Sequence, residues 1–126
     1  FRSQDVLHSA YMPFFRAQMN VVPGMITQFG FTPTVTSDEI KESEFMIEKV
    51  RKINEIRRNN SKDLVAKGEE PLDSYEFEYY LLCNKICGKS HYNMQMKIVV
   101  ESEEDFNAWM AEQQTFGEQM SAQASN

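Results

Sequence analysis

The segment Cys83-Asn84-Lys85-Ile86-Cys87-Gly88-Lys89-Ser90-His91-Tyr92-Asn93-Met94 restricts this chain more than any other. Two thiols, one imidazole and one thioether fall within twelve residues. Zinc sites use Cys, His and carboxylate, and rarely Met. Thiolate and thioether beside imidazole select copper, and electron-transfer copper sites often carry a weak axial Met. Positions 83, 87, 91 and 94 also fit one helix face, as a packing stripe, and a cysteine pair at this spacing also fits a redox disulfide. The flanks argue for a loop between two strands. Tyr75 to Leu82 alternates in a strand-like way, Ile98 to Val100 is β-branched, and Asn84, Gly88, Ser90 and Asn93 are weak helix formers.

His8 is one of two histidines in the chain. A lone His in an apolar segment is usually structural, but the other His already lies in the ligand-rich loop, so one shared site explains both. Around these residues the chain divides into three parts. Residues 1–35 read as extended, with a strand over Asp5-Val6-Leu7-His8 that His8 ends, a break at Pro13, a turn at Val22-Pro23-Gly24 and a β-rich run Met25–Phe31. Thr36 and Glu39 match a capping box, and Ile40, Ile47, Val50 and Ile53 recur at helical spacing, predicting a helix over 38–59 that Asn59-Asn60-Ser61 ends. A polar loop over 61–74 leads to a strand over 75–83. A second strand over 95–101 places Met96, Ile98 and Val100 on one apolar face, which assigns Met96 to the core. Ser102 and Asp105 then open a helix over 103–115, with Phe106, Trp109 and Met110 on its apolar side. Tyr92 and Trp109 read as packing residues, and 117–126 as a disordered polar tail.

Composition narrows the function. The 126 residues suffice for one domain, and 41% hydrophobic with 25% charged residues is an ordinary globular balance. A net charge of −6 repels phosphate backbones and argues against nucleic acid. No apolar run reaches the ~20 residues that cross a bilayer. There is no Gly-rich phosphate loop, and no convincing Ser-His-Asp or paired-carboxylate arrangement.

Together these motifs resemble cytochrome c oxidase subunit II, in its C-terminal copper A domain. The loop meets the family pattern Cys-x-x-x-Cys-Gly-x-x-His-x-x-Met with Cys83, Cys87, Gly88, His91 and Met94. The upstream Asp-Val-x-His-Ser pattern is met by Asp5, Val6, His8 and Ser9, and the later Pro-Gly turn by Pro23-Gly24. The resemblance covers residues 5–35 and 75–112. It implies a dinuclear copper centre bridged by the Cys83 and Cys87 thiolates. His8 and His91 would each bind one copper, with weak bonds from Met94 and from the Lys85 carbonyl. It also implies an electron-transfer role inside a membrane-bound, proton-pumping terminal oxidase. Cytochrome c would supply the electron and haem in subunit I would receive it, on the periplasmic or intermembrane-space side. This chain alone would only transfer electrons. The copper A domain of nitrous oxide reductase shares the ligand spacing, but Gly88 and the Asp-Val-x-His-Ser segment favour the oxidase. A zinc-binding or metal-free assembly module is the alternative from another class.

Three departures qualify the resemblance. Lys85 stands where the family commonly has a magnesium-binding Glu, and an ammonium cannot bind a cation, so the magnesium site is in question. Residues 36–74 form a helical insertion, expected to pack on its own domain rather than to serve as a subunit docking surface. The family's membrane helices, first copper-domain strands and electron-receiving aromatic segment precede the His-bearing strand and have no counterpart here. The expected fold is therefore mainly β: a partial cupredoxin-like Greek-key β-sandwich over 1–116, lacking its early strands, with the inserted helical segment and a C-terminal helix. Attachment to the membrane would run through segments absent from this chain.

Overall fold

The computed structural model describes residues 1–118 and Met120. Its centre is a four-stranded antiparallel sheet of β1 (His8–Met12), β2 (Ala17–Val21), β3 (Tyr79–Cys83) and β4 (Gln95–Ile98), in the order β2-β1-β3-β4. With the inserted helices and a C-terminal helix, this is the partial cupredoxin-like arrangement that the sequence leads one to expect.

Strand limits differ from the alternation pattern. His8 opens β1 rather than ending a strand, because Asp5 is held back in a bend: the Ser3 hydroxyl accepts from the Asp5 backbone N–H at 3.3 Å. Pro13 then breaks β1 into a single 3-10 turn over Pro13–Phe15, and β2 returns beside β1 with His8 opposite Val21. The β-rich run at 25–31 joins no ladder. It holds to the Phe1 backbone through Thr27, and its rings pack on other rings, Phe29 on Phe1 and Phe31 on Phe15. Residues 75–78 also join no ladder, and at Tyr75 a helical side chain takes the backbone instead. Asn54 clamps Tyr75, its side-chain amide donating to the Tyr75 carbonyl at 3.0 Å and its carbonyl accepting from the Tyr75 N–H at 2.6 Å.

The insertion is two helices, α1 (Ser37–Glu42) and α2 (Glu44–Ala66). The Thr36–Glu39 capping box forms as predicted. Ser43 breaks the helix by taking extended backbone and capping α2, its hydroxyl accepting from the Met46 N–H. The expected stop at Asn59-Asn60-Ser61 does not end α2. Ser61 bonds back to the Arg57 carbonyl and stays helical, and the stop comes at Gly68. There φ is +80°, and Gly68 and Glu69 donate to the Val65 and Leu64 carbonyls, a Schellman ending that favours glycine.

The insertion packs on its own domain, as expected. Met46 is 0% exposed and meets Phe77 and Tyr79 in the buried cluster, with Ile40 and Val50 beside it. Buried Ser37 joins α1 to the chain beyond β4, through its N–H to the Val100 carbonyl and its hydroxyl to the Val100 N–H, both 2.8 Å. The last helix, α3 (Glu103–Glu112), opens on Ser102 as predicted but ends earlier, at Glu112. Its apolar side does not enter the core. Phe106, Trp109 and Met110 are half-exposed, and the Trp109 ring meets Phe106. Of the tail expected over 117–126, only Gly117, Glu118 and Met120 lie within the described residues.

Candidate metal centre

Register delivers the candidate ligands to one corner of the sheet. β3 lies between β1 and β4. Ala10 pairs with Cys83, and the ladder continues as the Asn84 N–H donates to the Ser9 carbonyl at 3.1 Å. Counting back along antiparallel β1 sets His8 beside the residues just past Cys83. On the other side Leu82 pairs with Gln95, and the Cys83 N–H donates to the Met94 carbonyl at 3.0 Å. Cys83 thus has His8 on one flank and Met94 on the other.

Between Cys83 and Met94 the chain makes a compact double turn. Gly88 adopts φ +138°, a backbone region that side chains disfavour, and its carbonyl accepts from the His91 N–H. A 3-10 turn over His91–Asn93 then carries His91 and Met94 round toward Cys87.

All six residues singled out from the sequence meet there. Cys83 Sγ lies 3.7 Å from Cys87 Sγ, 3.7 Å from His8 Nδ1 and 3.3 Å from the Lys85 carbonyl oxygen. Cys87 Sγ lies 3.5 Å from His91 Nδ1 and 3.8 Å from Met94 Sδ. The ligand atoms of His8, Cys83 and Cys87 all lie within 4.8 Å of one another. Both cysteines are free thiols and half-buried. The helical stripe considered from spacing alone does not form, since Cys83 ends a strand and residues 84–90 are turn and coil.

The electrostatics suit a cation. His8 presents Nδ1 to Cys83 while Nε2 meets Asp5 Oδ1 at 2.8 Å. A carboxylate behind a histidine fixes ring orientation and raises ligand basicity. The hydrogen bond to His8 holds the Asp5 carboxyl down at about 2, and Asp5, followed by Cys83, raises His8. Burial pushes the Cys83 thiol up. Backbone hydrogen bonding at Ser9 and Lys85, then His8 and Cys87, outweighs it and brings Cys83 down to about 6. Cys87 moves the other way, raised by burial and by its neighbour Cys83. The fold therefore favours the thiolate at Cys83 and the thiol at Cys87. Two thiols, two imidazoles, a thioether and a carbonyl form a soft donor set that fits copper.

Two expectations for the surroundings fail. Tyr92 is 86% exposed, because the 3-10 turn that aims its neighbour His91 inward turns Tyr92 out. Met96 is 60% exposed, since its face of β4 borders an open cavity of about 450 Å³. Phe1, Ser3, His8, Cys83, Met94 and Met96 are among its walls. Sequence reading also missed what Ser9 does. It is 1% exposed, takes a hydrogen bond from Gln18, and offers its carbonyl to Asn84 at the root of the loop. Its place directly after His8 was the available signal.

No family model matches the chain, and no solved structure matches it. Among curated proteins, one named alternative cytochrome c oxidase subunit 2, from Bradyrhizobium diazoefficiens, is 32% identical over 115 residues. The alignment takes in 91% of this chain and 27% of that protein. The chain is thus a distant homologue that spans about a quarter of the relative's length. Among the described residues no helix is long and apolar enough to cross a membrane.

Proposed function

We propose that this chain is the electron-transfer copper domain of a subunit II-like protein of a cytochrome c oxidase. The observation that carries the reading is the meeting of Cys83, Cys87, His8, His91, Met94 and the Lys85 carbonyl in one corner. The distant homology points the same way. When bound, a dinuclear copper centre would supply reversible one-electron storage.

The chain's own residues do the rest. Cys83 and Cys87 would hold the metal through sulfur, and their 3.7 Å separation without a disulfide leaves both sulfurs free to do so. His8, whose Nδ1 faces Cys83, and His91, whose Nδ1 faces Cys87, would each supply an imidazole donor. Asp5 orients His8. Met94 and the Lys85 carbonyl would be the weak donors, placed to adjust the potential of a bound metal rather than to retain it. Backbone bonds from Cys83 to Met94 and from Asn84 to Ser9 pin the end of β3, which would limit how far the donors move. In the parent protein, cytochrome c gives the electron and haem in subunit I takes it toward oxygen. The domain stands on the periplasmic or intermembrane-space side, tied to the membrane by other segments. Lys85 offers no carboxylate, so no magnesium is assigned.

The test is copper titration of the reduced chain, followed by absorption and EPR spectra. The expected product is purple, with a delocalised mixed-valence EPR pattern. Cys87→Ser abolishes it, and Met94→Leu keeps it with a shifted potential. A single-copper hyperfine pattern, or zinc uptake with no coloured copper form, overturns the reading.

A further inference from the structure

His8 is the one candidate ligand that comes from outside the loop, and its aim depends on Asp5. That carboxylate meets Nε2 at 2.8 Å, which leaves Nδ1 facing Cys83 at 3.7 Å. The Asp5 side chain, however, is 66% exposed. An exposed ion pair is weak, and a side chain in water gives up rotamer freedom to stay in one place. Asp5 therefore needs a partner of its own if it is to hold the ring still.

Ser3 stands where such a partner belongs. It is buried, at 6% exposed. Its hydroxyl lies 3.1 Å from Asp5 Oδ1, the same oxygen that meets His8. The hydroxyl also lies 2.5 Å from the Val6 carbonyl and accepts from the Asp5 N–H at 3.3 Å. A hydroxyl has one proton, and a carbonyl and a carboxylate can only accept, so that proton is shared between the backbone of the bend and the Asp5 side chain. Ser3 itself does not lean on His8. It bridges Pro23 of the Pro23-Gly24 turn, and two residues earlier the Phe1 carbonyl accepts from the Thr27 N–H at 3.1 Å. A point fixed outside the ligand corner thus reaches a ligand ring through one hydroxyl and one carboxylate.

We propose that Ser3 is a positioning residue for the metal centre: its hydroxyl fixes the Asp5 carboxylate against His8 Nε2 and so keeps Nδ1 turned toward the metal. The inference rests on the copper reading for the purpose of His8, while the line from Ser3 through Asp5 to His8 is present in the chain by itself. A ring oriented before the metal arrives need not be ordered when it binds, and groups behind a ligand act on affinity in this way.

NMR on the full metal-free chain reads the first link. Three-bond couplings at Asp5 should report one χ1 rotamer in the parent and averaging among rotamers in Ser3→Ala. Ser3→Thr keeps the hydroxyl and should restore the single rotamer. Copper affinity, by competition with a chelator, reads the second link. Ser3→Ala should lower it about two- to tenfold, as for the loss of one ordinary hydrogen bond, and Ser3→Thr should recover it. A double-mutant cycle separates positioning from general loosening: in an Asp5→Ala background, Ser3→Ala should cost nothing further. Met46→Ala loosens the insertion end and should leave the Asp5 couplings as they are. Couplings unmoved by Ser3→Ala, additive losses in the cycle, or no recovery in Ser3→Thr each overturn the proposal and leave the copper reading intact. If no form of the chain takes up copper, the copper reading falls and the couplings alone decide the role of Ser3: averaging in Ser3→Ala supports it, and an unchanged rotamer overturns it.

Discussion

Around Met46 the chain closes an apolar cluster with helix caps on either side. Around Cys83 it gathers soft polar atoms and leaves an open cavity beside them. Both regions hang on β3: Tyr79 at its start belongs to the apolar cluster and Cys83 at its end to the ligand corner. The insertion end is held by burial, which needs nothing from outside. The ligand end is held by backbone bonds from Cys83 to Met94 and from Asn84 to Ser9, and burial, then the neighbouring Cys83, holds Cys87 in the protonated direction. One strand thus separates stability from chemistry, and the two should respond to different perturbations.

Met46→Ala should have the largest effect on stability. The side chain is fully buried, and truncation of such a group costs about 2–5 kcal/mol. Urea unfolding should move by that amount, while the folded fraction keeps its copper spectrum. Loss of the spectrum in protein that remains folded would mean that the two regions are not separate.

Asp5→Asn probes the other end. Removing a carboxylate behind a ligand histidine lowers metal affinity by roughly tenfold to a hundredfold. The exposed Asp5 belongs at the lower figure, read by competition with a copper chelator, with little change in urea unfolding. The pH dependence follows from the same groups. His8 is raised, so it holds its proton to higher pH and competes with the metal until that proton leaves. Cys83 is lowered to about 6, so its thiolate is lost as pH falls through that value. Copper uptake should therefore rise with pH from about 6 upward. In Asp5→Asn the His8 proton leaves earlier, and the rise should begin at lower pH even though the plateau affinity is weaker.

The ligand end was the more legible of the two in the sequence. Five of its six residues sit in one twelve-residue run, where spacing alone brings them near each other. His8 was different, because its partners lie 75 positions away and only register along β1 and β3 brings it home. The capping boxes at Thr36 and Ser102 were also legible, being contacts across three residues. What failed depended on tertiary choices. Ser61 looked like a helix stop, yet its hydroxyl found a carbonyl inside the helix and the Leu72 N–H outside it. Met96 sat at a core position by alternation, but alternation says which face a side chain takes, not whether anything covers that face. Tyr75–Glu78 had the strand pattern but joined no ladder, and the Tyr75 backbone went to Asn54.

Glu78 gives the smallest effect and the sharpest view of the seam. Its carboxylate bridges Lys41 of α1 at 3.0 Å and Lys97 of β4 at 2.8 Å, linking the insertion to the sheet. Burial pushes this carboxyl up, but Lys97 and Lys41 outweigh it and the net direction is down. A carboxyl lowered by folding stabilises the protein above its unfolded pKa, and that contribution is lost as pH falls through the lowered folded value. Glu78→Gln should cost less than about 1 kcal/mol at neutral pH, since both lysines keep much of their hydration. Its mark should be in acid: the difference between parent and variant shrinks as pH drops below the ordinary carboxyl range. Copper affinity should not move with it. A change in copper affinity in Glu78→Gln would show that the seam transmits along β3 from the insertion to Cys83, and that burial at one end also sets the geometry of the other.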